Sequence, residues 1–340
     1  MTGLKEPTSD DVYRAAERLA GVVHRTPNTE SATIDAMASA RVIMKTEPLQ
    51  RGGAFKLRGA YNAIAQLPAS RRQRGVVTDS SGNHGQAVAL AARMFAVPAL
   101  VYMPDDAPAA KVMATQGYGA EVRRYDRRNE DRALLSELAA SERGATVILP
   151  VDDPKVMAGH GTAALELIED HPDLDVLVVP IGGGGLMAGS ATIARALVPG
   201  VRIVGVEPAD ADDTLRSMIA GRRVKIAPPL TIADGLRRTA PGERTFPITQ
   251  RLVDDIVTVA DADIVATMRL LFERCKLVVE PSGAVGLAAL LAGGLEVAGS
   301  KVGVLLSGGN VGAEHFAELI KFAVDKPHGL VEAGTSRRGN

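Results

Sequence analysis

Cysteine is nearly missing: Cys275 stands alone in 340 residues. A single thiol rules out any disulfide within the chain and leaves no cysteine-based metal framework. A surplus of charge is missing too. The 39 lysines and arginines meet 40 aspartates and glutamates, a net of −1. Nucleic-acid proteins carry a basic excess or patch, so this balance points to a small-molecule partner. No run of about 18 apolar residues occurs, which argues against a membrane-spanning helix. The opening stretch MTGLKEPTSDDVYRAAERLAG is polar and amphipathic, without the apolar core of a secretory leader. The expectation from these absences is a cytoplasmic protein.

Apolar residues make up 46% and charged residues 23%, the balance of an ordinary globular protein. At roughly 150 residues per domain the length suggests about two domains. Short apolar runs recur, each followed by a Gly-rich or polar turn and an Ala/Leu-rich helical pattern. They are Gly75–Thr78, Ala99–Tyr102, Thr146–Leu149, Val176–Val179, Arg202–Val206 and Gly303–Leu306. Unbroken apolar runs of this length suit strands buried on both faces of a parallel sheet. The predicted class is therefore α/β, with two open, twisted parallel-sheet domains, helices on both faces and a cleft between them. Pro150 and Asp152-Asp153-Pro154 break the rhythm. The predicted division is a small domain over 66–152, a large domain from 1–65 and 153–325, and a polar tail over 326–340. Cys275 falls in a helical stretch, Ala266 to Lys276, and reads as a packing residue.

Three Gly-rich segments each follow a buried-strand pattern: Asp79–Gly85, Ile181–Leu186 and Ser307–Asn310. The second holds four glycines, Gly182, Gly183, Gly184 and Gly185, just before a helix. Without Cβ atoms their N–H groups can converge on one point, and the helix dipole behind them favours an anion. Such a site suits a phosphate. A dinucleotide reading competes, because Gly183-x-Gly185-x-x-Ala188 matches the G-x-G-x-x-G/A fingerprint and Glu207 follows about 20 residues on. That reading uses one loop of the three and leaves Lys56 idle. Lys56 sits among small and apolar neighbours, ahead of a helical pattern from Ala60 to Leu67. A partly desolvated lysine has a lowered pKa and forms imines.

Taken in order, GAFKLRGAYN (53–62), SSGNHGQAVALAA (80–92), AGHGTAALEL (158–167), PIGGGGLMAG (180–189), GVEPADADD (205–213), TIADGL (231–236), VVEPSGAVGLAAL (278–290) and LSGGNV (306–311) resemble the fold-type II pyridoxal-phosphate enzymes. Within that class they are similar to the serine/threonine dehydratase and serine racemase group. The likeness runs from Thr26 to Val311 and outweighs the dinucleotide reading. It implies a tryptophan synthase β-like fold and the cofactor pyridoxal 5′-phosphate, with Lys56 as the Schiff-base lysine. It further implies that Phe55 lies near the cofactor ring, Asn83 at its phenolic oxygen, Gly182 to Gly185 at its phosphate and Ser307 at its pyridine nitrogen. Ser80, Ser81, Gly82 and His84 would receive the substrate carboxylate, and Ser81 would act as acid or base on the face opposite the lysine. A homodimer is implied, as is a divalent cation (Mg²⁺, Mn²⁺ or Ca²⁺) on Glu207, Asp213 and the Ala211 carbonyl.

The expected reaction is loss of water from a small β-hydroxy amino acid, L-threonine or L-serine, giving a 2-oxo acid and ammonia. The alternatives are serine racemisation, dehydration of 3-hydroxyaspartate, and a non-catalytic cofactor-binding protein. Ala54 and His160 stand where the group often has serine and glutamine. His160 reads either as a packed core histidine or as a new contact in the cleft. Arg237 and Arg238 follow TIADGL; they read as a solvated surface pair, or as a receptor for a second carboxylate.

Overall fold

The computed structural model describes residues 6–321 apart from Ser81, Pro108 and Arg127. The predicted polar tail lies outside the described residues. The chain opens with β1 (Asn28–Thr29) and β2 (Arg41–Thr46). It then runs through β3 (Val76–Asp79), β4 (Ala99–Pro104), β5 (Glu121–Tyr125) and β6 (Thr146–Val147). It ends with β7 (Val176–Pro180), β8 (Arg202–Pro208), β9 (Asp255–Val259) and β10 (Lys301–Leu306). The middle four form one sheet in the order β5-β4-β3-β6. The other six form a second sheet, β1-β2-β10-β7-β8-β9. All pairings are parallel except β1 with β2. This is the expected α/β class, with a two-residue antiparallel strand at one edge.

The apolar runs become the buried strands because each strand is covered on both faces. β3 and β7 are buried at every position, and β8 and β10 at all but the first. Thr146–Leu149 shortens to two residues of strand, and β1, β2, β5 and β9 join without having been expected. The helix foreseen from Ala60 begins earlier, at Lys56, and runs to Ala65. Cys275 closes a single π-helical turn, Leu271–Cys275, after the helix Asp261–Leu270, and is half-buried.

Three helices press together beneath the future site: Lys56–Ala65, Pro154–Asp170 and Gly185–Leu197. They approach backbone to backbone. A Cβ on Gly161 would stand 2.6 Å from the Gly189 carbonyl oxygen, and one on Gly159 would collide with the Arg58 carbonyl. Glycine in a helix interior costs about 0.5–1 kcal/mol relative to alanine; here it permits this contact. The packing ties the start of the Lys56 helix to the start of the helix behind the glycine loop.

Below Lys56 lies a buried ionic cluster. Arg58 is fully buried, with Nε donating to Glu47 Oε2 at 2.9 Å and Nη1 to Glu166 Oε1 at 2.7 Å. Lys45 Nζ meets Glu166 Oε2 at 2.7 Å, and Thr26 Oγ1 donates to Glu47 Oε1 at 2.6 Å. Two cations and two carboxylates balance, so no buried charge is left over. Breaking such a set by removing one partner typically costs about 3–5 kcal/mol. The cluster therefore pins the backbone two residues after Lys56.

Candidate active site

The carboxyl ends of β3, β7 and β10 open on one cleft, where parallel α/β sheets bind ligands. Phe55, Lys56, Ser80, Gly82, Asn83, His84, Gly182 to Gly185 and Ser307 all line it. The structure thus brings together the lysine segment and the three Gly-rich loops, which lie far apart in the sequence. Ser81 lies outside the described residues.

Lys56 is the first residue of its helix, and its Nζ lies 4.7 Å from the Phe55 ring centroid. Burial pushes its ammonium down to about 8, with the positive charge of Arg238 adding to the shift and Glu280 opposing it. An amine near 8 is partly neutral at physiological pH, the form that attacks a carbonyl. Ala54 bridges to Gly308, and the Phe55 N–H donates to the Ser307 carbonyl at 3.1 Å. This holds the lysine segment against the loop after β10.

The glycine loop is shaped for close approach. Gly184 has φ +88°, a left-handed conformation, and a Cβ there would stand 2.7 Å from Thr245 Oγ1. A Cβ on Gly183 would strike Val151. Thr245 Oγ1 donates to the Gly183 carbonyl at 2.7 Å, which fixes the loop from behind. The helix Gly185–Leu197 starts at this point, so its free N–H groups and positive dipole end face the cleft. A phosphate fits this cradle; side chains would fill it.

Facing the loop, Asn83 Nδ2 donates to Glu280 Oε1 at 2.5 Å, and Asn83 Oδ1 accepts from Asn310 Nδ2 at 2.9 Å. The amide is thereby held in one orientation with a second N–H to spare. Glu280 is 3% exposed, and burial, reinforced by Asp234, pushes its carboxyl up to about 8. Ser307 Oγ has only a long contact, 3.5 Å to the Ser282 carbonyl, and is available to a ligand. His84 Nε2 lies 3.1 Å from the Ile148 carbonyl, and burial drives its pKa down to about 3. It is a neutral imidazole whose Nε2 carries the proton.

His160 resolves as a core residue. It is fully buried, packs edge-on to Phe55 with centroids 4.6 Å apart, and does not line the cleft. Sequence reasoning gave no role to Glu280, Asp79, Lys111, Arg132 or Asp234, which do line it. Glu280, Asp234 and Asp79 had a signal, since they fall within the quoted segments 278–290, 231–236 and 79–85. Lys111 and Arg132 had none; each sits in an unremarkable polar stretch.

Glu207, Ala211 and Asp213 stand apart from the cleft at the end of β8. Glu207 accepts from the Thr214 and Leu215 N–H groups at 2.9 and 2.8 Å, capping the helix Asp213–Ala220. Both Asp213 carboxylate oxygens are buried without a hydrogen-bond partner. Burial pushes Glu207 up to about 7, while burial together with the Glu207 charge pushes Asp213 up to about 8. A partnerless buried carboxylate beside a second carboxylate fits a cation. No group of three acidic, histidine or cysteine side chains with metal-ligand geometry occurs among the described residues, so a third ligand would have to be a carbonyl or water.

Two parallel-sheet layers meeting at a buried lysine, a four-glycine cradle and a serine at the end of β10 define a fold-type II pyridoxal-phosphate enzyme. The chain belongs to the pyridoxal-phosphate dependent enzyme family, whose model matches residues 19–308. It is 49% identical to the L-threo-3-hydroxyaspartate ammonia-lyase of a Pseudomonas species over 92% of this chain and 98% of that one. It is 44% identical to serine racemase of Schizosaccharomyces pombe over 92% of this chain and 97% of that one. The structure of maize serine racemase superposes with a TM-score of 0.89 at 41% identity, covering 94% of this chain and 98% of that one. No helix among the described residues is long and apolar enough to cross a membrane.

Proposed function

We propose that this protein is a pyridoxal-phosphate-dependent ammonia-lyase that dehydrates 3-hydroxyaspartate to oxaloacetate and ammonia. The observation that carries the substrate is the charge of the cleft mouth. Lys111, Arg132, Arg237 and Arg238 gather there against Asp79 and Asp234, while burial pushes the Glu280 carboxyl up to about 8. That surplus of positive charge suits a substrate with two carboxylates better than L-threonine or L-serine, the first expectation from the sequence. The 49% identical relative carries the same activity in its name.

Lys56 would hold the cofactor, with its phosphate on Gly182 to Gly185, its phenolic oxygen on Asn83, its ring nitrogen on Ser307 and Phe55 beside it. Bound there, the cofactor supplies an electron sink for the α-carbon. Once the substrate's amino group has taken its place, the freed Lys56 Nζ would take up the α-proton and return it to the departing β-hydroxyl, which would leave as water; the released enamine would hydrolyse to the 2-oxo acid and ammonia. Ser80, Gly82 and the N–H groups opening the helix Asn83–Met94 orient the α-carboxylate. Ser81 would serve as the second acid or base, as the family resemblance implies. His84, kept neutral, adds no positive charge of its own. Ser307 is a hydroxyl where an aspartate would stabilise a protonated ring, and this favours prompt elimination over longer-lived carbanion chemistry.

The test is ammonia release from 3-hydroxyaspartate, L-serine and L-threonine, with chiral analysis of residual serine. One added charge-assisted hydrogen bond is worth about 1.5–3 kcal/mol. On that ground kcat/KM for 3-hydroxyaspartate should exceed that for serine by at least about tenfold. The serine racemase relatives favour a second reading, and D-serine forming faster than pyruvate would establish it. Bound cofactor with no ammonia from any substrate would leave a non-catalytic binding protein.

Two further assignments belong to this reading. Glu207, Asp213 and the Ala211 carbonyl would hold a divalent cation. The protein would be a homodimer, since closed two-fold dimers are the commonest soluble oligomers; light scattering showing only monomer at working concentration would refute that.

A further inference from the structure

Arg237 and Arg238 are equivalent in sequence and different in the fold. Both line the cleft, but Arg237 is exposed at its rim, and its Nε donates to the Thr231 carbonyl at 2.7 Å, closing the turn it belongs to. Arg238 is half-buried in the cleft wall, and its guanidinium has no hydrogen bond and no carboxylate within 4 Å among the described residues. The other cations of the mouth are engaged. Lys111 pairs with Asp234, and Arg132 Nε faces Asp79 Oδ1 at 3.7 Å. We propose that Arg238, and not Arg237, receives the distal carboxylate of the substrate and so sets the preference for a dicarboxylic β-hydroxy amino acid; this rests on the hydroxyaspartate reading above.

The surroundings favour an anion. Arg238 is lowered in pKa first by burial and next by Arg132, with Asp213, Asp79 and Asp152 acting on it only at longer range. A half-buried guanidinium within the field of a second arginine is under-neutralised, and a bound carboxylate relieves both. The site is near the chemistry, because Arg238 is the largest charge acting on Lys56. It is also held in place. The Arg238 N–H donates to the Leu236 carbonyl at 2.8 Å, and the Gly235 N–H to Ser282 Oγ at 2.9 Å. Leu236 in turn packs beside Gly182 of the phosphate cradle. The planar guanidinium fork matches a carboxylate with two parallel N–H···O bonds.

The experiment compares Arg238→Met, Arg238→Lys and Arg237→Met with the wild-type holoenzyme. The readouts are kcat/KM for 3-hydroxyaspartate and for L-serine, and calorimetric binding of succinate, a dicarboxylate without an amino group. Arg238→Met should lose roughly 10- to 100-fold in kcat/KM for 3-hydroxyaspartate, mainly through KM, and should lose succinate binding. Its serine activity should fall much less, so that the ratio of the two substrates collapses, because serine has no distal carboxylate to lose and feels only the altered charge beside Lys56. Arg238→Lys keeps the charge without the fork and should fall between; it also serves if the methionine variant folds poorly by its melting curve. Arg237→Met should leave the ratio of the two substrates and succinate binding unchanged. An unchanged ratio in both Arg238 variants, or a collapse of the ratio in Arg237→Met instead, would overturn the assignment. A wild-type enzyme that ignores 3-hydroxyaspartate would sink the functional reading itself, while loss of succinate binding in Arg238→Met would still identify Arg238 as the carboxylate receptor.

Discussion

Lys56→Ala should release no measurable ammonia from any of the three substrates, and borohydride should fix no cofactor on it. In the wild type, a yellow protein bleached by borohydride should yield a cofactor label on Lys56. The substitution removes both the covalent anchor and the base for the α-proton. Loss of a positioned base alone typically costs about 10²- to 10⁴-fold, and loss of the anchor adds to it. Lys111, the other lysine of the cleft, cannot take over, because it is engaged by Asp234. The same lysine sets the pH dependence of cofactor loading. With its pKa pushed down to about 8, the neutral amine dominates above that value. The loading rate of cofactor-free protein should therefore rise with pH up to about 8 and then level off. An unperturbed lysine would keep accelerating toward about 10.4. A rate still climbing at pH 10, or substantial turnover by Lys56→Ala, would contradict the role given to Lys56.

How much of this was legible in the sequence depends on whether the signal was local. β3, β7 and β10 announced themselves because each is an apolar run that ends in a glycine turn, and both features are local. The glycines of 182–185 read correctly for the same reason: the freedom to turn left-handed and the lack of Cβ atoms belong to the residues themselves, although Thr245 and Val151 complete the cradle from elsewhere in the chain. β2 did not read as a strand. Its sequence, Arg41–Thr46, carries Arg41 and Lys45, and Lys45 is tolerated at 0% exposure only because Glu166, far along the chain, neutralises it. β5 was hidden by its exposed Arg123 and Arg124, which suit an edge strand. Glu280 illustrates the same limit within the site. A buried carboxyl that orients Asn83, 197 residues away, leaves only the segment around it as a trace. The Arg237–Arg238 pair shows the limit most sharply. Adjacent identical residues differ in exposure and partners, with the Arg237 Nε tied to the Thr231 carbonyl and Arg238 half-buried, and nothing local in the sequence separates them.

The proposed cation site makes a prediction whose sign depends on the metal. A carboxyl with a raised pKa stabilises the fold at low pH, fully so below its unfolded value near 4, and that stability is lost as pH climbs through the folded value. Glu207 and Asp213 sit at about 7 and about 8 without a cation. In chelator at pH 8.5 the wild type must therefore carry at least one buried, uncompensated negative charge, centred on the partnerless Asp213 oxygens. Asp213→Asn, which has no charge to bury, should then melt at or above the wild type. With excess Mg²⁺ the order should reverse, because the ion neutralises both carboxylates in the wild type and the asparagine variant holds it poorly. A ligand held at a hundred times its Kd adds about 2.7 kcal/mol, and at roughly 2–4 °C per kcal/mol the wild type should gain several degrees. Below pH 6 protons occupy the site and Mg²⁺ should change little. Activity should follow the melting temperature, since β8, which carries Glu207, pairs with β7, the strand leading into the glycine cradle. A wild type whose melting temperature and activity ignore both chelator and Mg²⁺ at pH 8.5, or a variant that gains as much from Mg²⁺ as the wild type, would dismiss the cation from these residues.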